Sequence, residues 1–147
     1  MSNAVGRILA RYPIDLIYVK RLRAIQFVPE LVAPPVVIDS TDAMSLFYRR
    51  MSENARGPEK LLAAEEKVKY RWYERRMLQR WHYWVVASQV DAAYLQALSS
   101  GDAQINVIPN AVDTDYFGSL RYISESPTIL LSGLIDKYVN VEAAHWF

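Results

Sequence analysis

The stretch Pro-Val-Val-Ile-Asp-Ser-Thr-Asp, residues 35–42, sets a nearly continuous apolar run directly before a polar turn. Such a run predicts a strand in a sheet that is covered on both faces. Similar short runs lie at residues 15–19, 83–87 and 105–108, and helix-like segments separate them. Because neighbouring parallel strands need a crossover connection, this alternation predicts an α/β fold, a Rossmann-like parallel sheet with helices on both faces.

The segment from Glu59 to Trp81 contains neither glycine nor proline and is rich in Lys, Arg, Glu, Leu and Ala. This composition predicts a single long helix. Shorter helices are predicted at residues 21–28, 43–51 and 89–98. Apolar residues at three- and four-residue steps predict a wide apolar face on the long helix. One track of that face is Leu61, Ala64, Val68 and Trp72, and the neighbouring track is Tyr73, Met77 and Trp81.

The composition excludes several classes of protein and site. The chain has 147 residues, of which 52% are hydrophobic and 22% charged, so disordered and collagen-like proteins are excluded. Without cysteine there is no disulfide framework, no thiolate nucleophile and no cysteine-bound zinc. The two histidines, His82 and His145, are too few for a histidine metal site. The charge-free windows fall short of the ~20 apolar residues that span a bilayer, and we expect a cytoplasmic protein.

Charge is distributed unevenly along the chain. Residues 1–81 contain fifteen Lys and Arg against nine Asp and Glu, whereas residues 82–147 contain two against seven. The predicted long helix carries seven of the basic residues, interleaved with aromatic ones. The default interpretation is a solvated basic face. Peripheral contact of the Lys60–Arg80 helix with an anionic membrane surface comes second, and nucleic acid is not expected because no RNA-binding signature accompanies the helix.

Polar residues follow the predicted strands, where ligands of parallel sheets usually bind. Asp39 and Asp42 could accept hydrogen bonds from sugar hydroxyls or position a base. Alternatively, Asp39 ends a strand and Asp42 caps the next helix. Ser88 opens a helix whose N–H groups could hold an anion, or it is an N-cap that needs no ligand. Beyond these, Thr128–Gly133 is predicted as a further strand entering a glycine turn, followed by a helix near Asn140.

Three pieces, read in order, resemble one family. They are residues 35–45, Val-Val-Ala-Ser at 85–88, and Val-Ile-Pro-Asn-Ala-Val-Asp-Thr-Asp-Tyr-Phe at 107–117. Together with the tail from Ile129 to Phe147 they resemble GT-B glycosyltransferases of the family 4 type, especially the sugar transferases of bacterial exopolysaccharide clusters.

The resemblance implies a division of the chain into parts of two domains. Residues 1–118 would be the later part of the acceptor-side Rossmann-like domain, 119–127 the linker, and 128–147 the first βα unit of a truncated donor-side domain. The implied reaction transfers a sugar, with retention of configuration, from a nucleotide-sugar donor to a hydroxyl of a glycan or lipid-linked acceptor. It requires no metal and no cofactor, and this chain alone is not expected to be a competent transferase.

The resemblance also assigns residues to a cleft, although it assigns none as catalytic. Three departures from the family pattern stand out. The most serious is that the family's amino-terminal glycine-rich loop and its carboxyl-terminal paired glutamates, which hold the donor, are both absent from this sequence. Many relatives carry histidine at the position of Thr41, and Ala111 replaces a glycine, which costs roughly 1 kcal/mol if that residue needs a positive φ. The implied residues are Asp39, Thr41, Asp42, Ser45 and Ser88 on the acceptor side, Asn110 and Asp113 between the domains, and Gly133 at the donor.

Two other classes of protein fit the same sequence. A non-catalytic α/β binding module would show the same alternation, with the tail packed as an edge strand of one complete sheet. A membrane-surface adaptor would use the basic face of the Lys60–Arg80 helix.

Overall fold

A computed structural model describes residues 2–118, 128–134 and 138–146. The chain divides into two compact units, Met1–Ala111 and Val112–Phe147. The first unit contains a parallel sheet and its connecting helices, and the described residues of the second form two helices.

The sheet of the first unit has four parallel strands in the order β1-β2-β3-β4. Each strand is short, and each connection leads to the strand that lies next to it in the sheet. The strands are β1 (Ile17–Lys20), β2 (Val36–Thr41), β3 (Tyr83–Val86) and β4 (Gln104–Val107).

Helices fill the connections between the strands. A 3₁₀ helix joins β1 to β2, a pair of helices joins β2 to β3, and one helix joins β3 to β4. These elements are the 3₁₀ helix (Leu22–Phe27), α2 (Met44–Asn54), α3 (Gly57–Arg80) and α4 (Gln89–Leu98). A further helix, α1 (Ser2–Arg11), precedes β1.

The predicted α/β class with a Rossmann-like parallel sheet is confirmed. Ile38, Trp84 and Val86 on one face of the sheet are fully buried in the hydrophobic core. On the other face, Tyr18 and Tyr83 are exposed. When parallel strands follow one another in chain order, right-handed crossovers place all the connecting helices on the same face of the sheet. We predicted helices on both faces, but among the described residues they cover only one face completely.

The long helix forms at nearly its predicted bounds, but only one of its two predicted apolar tracks is buried. Leu61, Val68 and Trp72, expected to pack inward, are 75%, 62% and 62% exposed. In the second predicted track, Met77 and Trp81 are buried and Tyr73 packs against the core. The other buried residues of the helix are Ala63, Tyr70, Glu74 and Leu78. The sequence pattern marked two apolar tracks, and packing against α2 selected the side that includes Glu74.

The second unit differs from the predicted βα unit. Its helices are α5 (Thr114–Gly118) and α6 (Tyr138–Trp146). The predicted strand at Thr128–Gly133 is wrong, because those residues are described without regular structure. A strand needs a hydrogen-bonded neighbour, and these residues pair with none of the described strands. The predicted linker, 119–127, lies outside the described residues.

Candidate functional site

A cavity of about 460 Å³ lies where β1 and β2 end. The two strands pair in parallel with Lys20 opposite Asp39, so the residues that follow each strand lie side by side. Ligands of parallel α/β sheets bind beyond the carboxyl ends of the strands, which makes this cavity, here called the cleft, the candidate site. Its polar lining includes Lys20, Arg21, Arg23, Thr41, Asp42 and Tyr70.

Asp39 fixes the end of β1 against the end of β2. Its Oδ2 accepts hydrogen bonds from the Tyr18 hydroxyl at 2.7 Å and from Lys20 Nζ at 2.8 Å, and its Oδ1 accepts one from the Thr41 backbone N–H at 3.0 Å. Burial alone would raise the pKa of Asp39, but the hydrogen bonds from Lys20, Tyr18 and Thr41 outweigh it and lower the pKa. Both carboxylate oxygens of Asp39 are thus engaged within the protein, where they position Lys20 and Thr41.

Two residues that line the cleft have an unfavourable backbone conformation. Arg21 has φ 74° and Thr41 has φ 65°, and they are the only non-glycine residues with positive φ in the described ranges 2–118, 128–134 and 138–146. The β2–β3 register also shifts between Asp39 and Thr41. Positive φ is uncommon for non-glycine residues and an outlier for a β-branched one. Because such strain accumulates at functional sites, it marks the cleft independently of the cavity.

Arg23 is held at the cleft by an aromatic residue of α3. Its Nε donates a hydrogen bond to the Tyr70 hydroxyl at 2.9 Å, and its guanidinium carbon lies 6.0 Å from the centre of the Tyr70 ring. Tyr70 also stacks on Tyr48 of α2, with ring centres 5.3 Å apart. The long helix therefore determines where this guanidinium lies.

Asp42 presents a carboxylate to the cleft. The predicted capping role of Asp42 is wrong, since the N-cap of α2 is Ala43, whose backbone N–H donates to Asp91 Oδ1 at 3.0 Å. The Asp42 carboxylate accepts no hydrogen bond from the described part of the chain. Desolvation, followed by the neighbouring carboxylates of Asp91 and Asp39, raises the pKa of Asp42. A carboxylate of this kind is available to a hydroxyl donor.

The other two predicted acceptor-side residues have structural contacts. Ser45 is fully buried, and its backbone N–H donates to Glu74 Oε1 at 3.2 Å while its hydroxyl donates to Glu74 Oε2. Ser88 is the N-cap of α4 and accepts a hydrogen bond from the Asp91 backbone N–H at 3.1 Å. Neither serine lines the cleft. Of the two interpretations of Ser88, the N-cap that needs no ligand is the one that the structure shows.

The residues predicted to lie between the domains belong to different units. Asn110 is exposed at the end of the first unit. Asp113, in the second, accepts hydrogen bonds from the backbone N–H groups of Asp115 at 3.1 Å and Tyr116 at 2.9 Å. It thereby caps α5. Ala111 has no positive φ, so the expected cost of replacing glycine there does not arise.

Any side chain at Gly133 would be strained. Its φ is 156°, and a Cβ added there would lie 2.8 Å from Asn140 Nδ2. That amide nitrogen donates a hydrogen bond to the Leu134 carbonyl at 2.9 Å, which restrains the side chain. The predicted glycine turn is therefore present, although the segment before it is not a strand.

Sequence reasoning missed the cationic side of the cleft. Lys20, Arg21 and Arg23 directly follow the predicted first strand. Because ligands bind beyond the carboxyl ends of parallel strands, these residues were candidates in the same way as Asp39 and Asp42. Tyr70 carried no such signal, because its position depends on the packing of α3 against α2.

A search of the described residues for metal-ligand clusters found no group of three or more His, Asp or Glu side chains able to hold an ion. Within the same residues no helix is both long and apolar enough to cross a membrane. Comparison of the chain with family models, curated proteins and solved structures returned no match.

Proposed function

We propose that this chain is the acceptor-side part of a GT-B glycosyltransferase of the family 4 type, with the cleft as its acceptor site. The enzyme would transfer a sugar, with retention, from a nucleotide sugar to a hydroxyl of a glycan or lipid-linked acceptor in bacterial cell-surface polysaccharide synthesis. The observation that carries the proposal is the Asp42 carboxylate, which lines a cavity at the carboxyl ends of two parallel strands and accepts no hydrogen bond from the described residues.

The chemistry of the cleft suits an acceptor sugar. Sugar hydroxyls donate to carboxylates, and the Asp42 carboxylate can accept two or more such bonds. The hydroxyls of Ser40 and Thr41 donate within the protein, to the Asp42 carbonyl at 2.7 Å and to Asp39 Oδ1 at 3.2 Å. Each can still accept a hydrogen bond from a ligand.

For the donor, the proposal relies on Gly133. Its lack of a side chain would let the backbone approach the donor phosphates. A cytoplasmic location agrees with the absence of cysteine.

Replacing Asp42 with alanine tests the proposed acceptor site. We expect the wild-type chain to retain an oligosaccharide on a glycan array, and Asp42→Ala to weaken that binding by about tenfold or more, the usual effect of losing hydrogen bonds to a charged group. Asp102→Ala is the matched control, because Asp102 is exposed in the loop before β4. Equal binding by wild type and Asp42→Ala would contradict the proposed site.

A membrane-surface adaptor is the second candidate function, and the outer surface of α3 favours it. This surface, formed by Leu61, Val68 and Trp72 with Arg75 and Arg76, combines exposed apolar and basic residues. Arg76 lies over the Trp72 ring at 5.4 Å. Helices with tryptophan and arginine on one face bind at anionic lipid interfaces. Such contact is also compatible with a transferase that acts on lipid-linked acceptors at the inner face of the membrane.

Vesicle co-sedimentation tests the membrane contact. We expect the chain to bind vesicles that contain phosphatidylglycerol, to bind them less at high salt because of charge screening, and to lose affinity when Trp72 is replaced with alanine. Pure phosphatidylcholine vesicles are the control. Equal binding to both kinds of vesicle, or no effect of Trp72→Ala, would count against this surface.

A further inference from the structure

Three basic residues within four positions of the chain line the cleft. Lys20 ends β1, and Arg21 and Arg23 belong to the turn and the 3₁₀ helix that follow. All three line the cavity of about 460 Å³, whose lining contains one carboxylate, that of Asp42. The cleft therefore has an excess of positive charge.

Most of this charge is not neutralised within the described part of the chain. Neither Arg21 nor Arg23 forms an ion pair there, and Arg23 donates a hydrogen bond to the neutral hydroxyl of Tyr70. Lys20 is paired with Asp39 at 2.8 Å, but its side chain is 65% exposed and keeps further N–H donors. Two guanidinium groups and an ammonium group that line one cavity would attract an anion.

The backbone conformation of Arg21 supports a function for its side chain. The Arg21 N–H donates to the Asp39 carbonyl at 2.7 Å, which fixes the residue in the turn at φ 74°. Glycine would adopt this φ with little strain. Retaining arginine in a strained position of this kind is typical of a residue whose side chain serves a site.

We propose that the cleft binds a phosphate group of the acceptor, held by Arg21 and Arg23 with assistance from Lys20. This inference deepens the proposed function and depends on it for the identity of the ligand. Arginine binds phosphate through two parallel hydrogen bonds. Phosphate occurs both in sugar phosphates and in lipid-linked diphosphate acceptors, and the same group is also present in a nucleotide donor, so the ligands compared must separate these sources.

Calorimetric titration of the full chain with inorganic pyrophosphate tests the inference. We expect saturable binding that Arg21→Gln weakens by about tenfold or more. Arg75→Gln is the matched control, since it makes the same charge change on the outer surface of α3. No saturable binding, or equal weakening by both variants, would overturn the proposal.

A second variant distinguishes a loss of pyrophosphate binding from a loss of folding. Arg21→Gly removes the guanidinium and also relieves the positive φ, so we expect it to bind pyrophosphate weakly while its denaturation midpoint equals or exceeds that of the wild type. A variant with a raised midpoint and undiminished binding would overturn the proposal.

Parallel titrations identify the source of the phosphate. Glucose 1-phosphate is expected to bind with dependence on Arg21, and glucose to bind more weakly. If uridine diphosphate binds more tightly than pyrophosphate with the same dependence, the acceptor assignment is overturned in favour of the donor. Arg21-dependent pyrophosphate binding without glycan retention on the array would overturn the proposed function alone, because the titration requires no sugar.

Discussion

Glu74→Ala is expected to lower the free energy of unfolding of the Met1–Ala111 unit by about 2–4 kcal/mol. Glu74 is fully buried, and its carboxyl group accepts hydrogen bonds from the backbone N–H and the hydroxyl of Ser45. Alanine would leave that N–H without its partner and create a cavity between α2 and α3. Urea denaturation of both proteins at neutral pH measures the difference.

Glu74→Gln shows how much of the stability comes from the hydrogen bonds of Glu74 and how much depends on its charge. The glutamine carbonyl can still accept from the Ser45 N–H, and its amide can donate to the Ser45 hydroxyl, which lies 3.0 Å from the Tyr94 hydroxyl. We expect this variant to unfold within about 1 kcal/mol of the wild type at neutral pH. Equal destabilisation by alanine and glutamine would contradict this account of Ser45 and Glu74.

The difference in stability between the wild type and Glu74→Gln is expected to depend on pH. Burial raises the pKa of Glu74 above its ordinary value of 4.5, although hydrogen bonds from Ser45 act in the opposite direction. Because the folded state then holds the proton more tightly, this group's contribution to stability is present below pH 4.5 and is lost as the pH rises through the raised pKa. Relative to Glu74→Gln, the free energy of unfolding of the wild type should therefore decrease as the pH rises from 4.5 through the raised pKa of Glu74.

Trp84→Ala is expected to have the other large effect, a loss of about 3–5 kcal/mol. Trp84 is 0% exposed in β3, and its indole N–H donates to the Trp81 carbonyl at 2.7 Å. Because small domains are stable by only about 5–15 kcal/mol in total, this variant should have a much lower denaturation midpoint.

Trp72→Ala provides the matched comparison for Trp84→Ala. Trp72 is exposed on the outer surface of α3, so its replacement should change stability by no more than about 0.5 kcal/mol. Circular dichroism during denaturation measures both variants. Similar midpoints for the two would contradict the assignment of Trp84 to the core.

The sequence predicted local structure well where a pattern spans a whole element. The α4 helix has its predicted bounds, Gln89–Leu98, and α3 covers most of residues 59–81. Such segments carry their own signals, namely strong helix formers without glycine or proline. The carboxyl-end position of Asp39 and Asp42 also followed from the predicted parallel strands.

Features that depend on a distant partner could not be predicted in this way. Leu61 and Trp72 have helical spacing whether they point inward or outward, and only contacts with α2 determine which side of α3 is buried. The burial of Glu74 has no local signal in the sequence, because its partner, Ser45, is 29 residues away. Thr128–Gly133 has the composition of a strand, but it has no strand partner among the described residues.

A nuclear magnetic resonance titration of the isotope-labelled chain, with an oligosaccharide that the array retains, tests the proposal that the cleft binds the acceptor. We expect amide shifts concentrated at Arg21, Thr41 and Asp42. Failure of the chain to retain any glycan, or shifts confined to residues outside the cleft, such as Leu61 and Trp72 on the outer surface of α3, would contradict it.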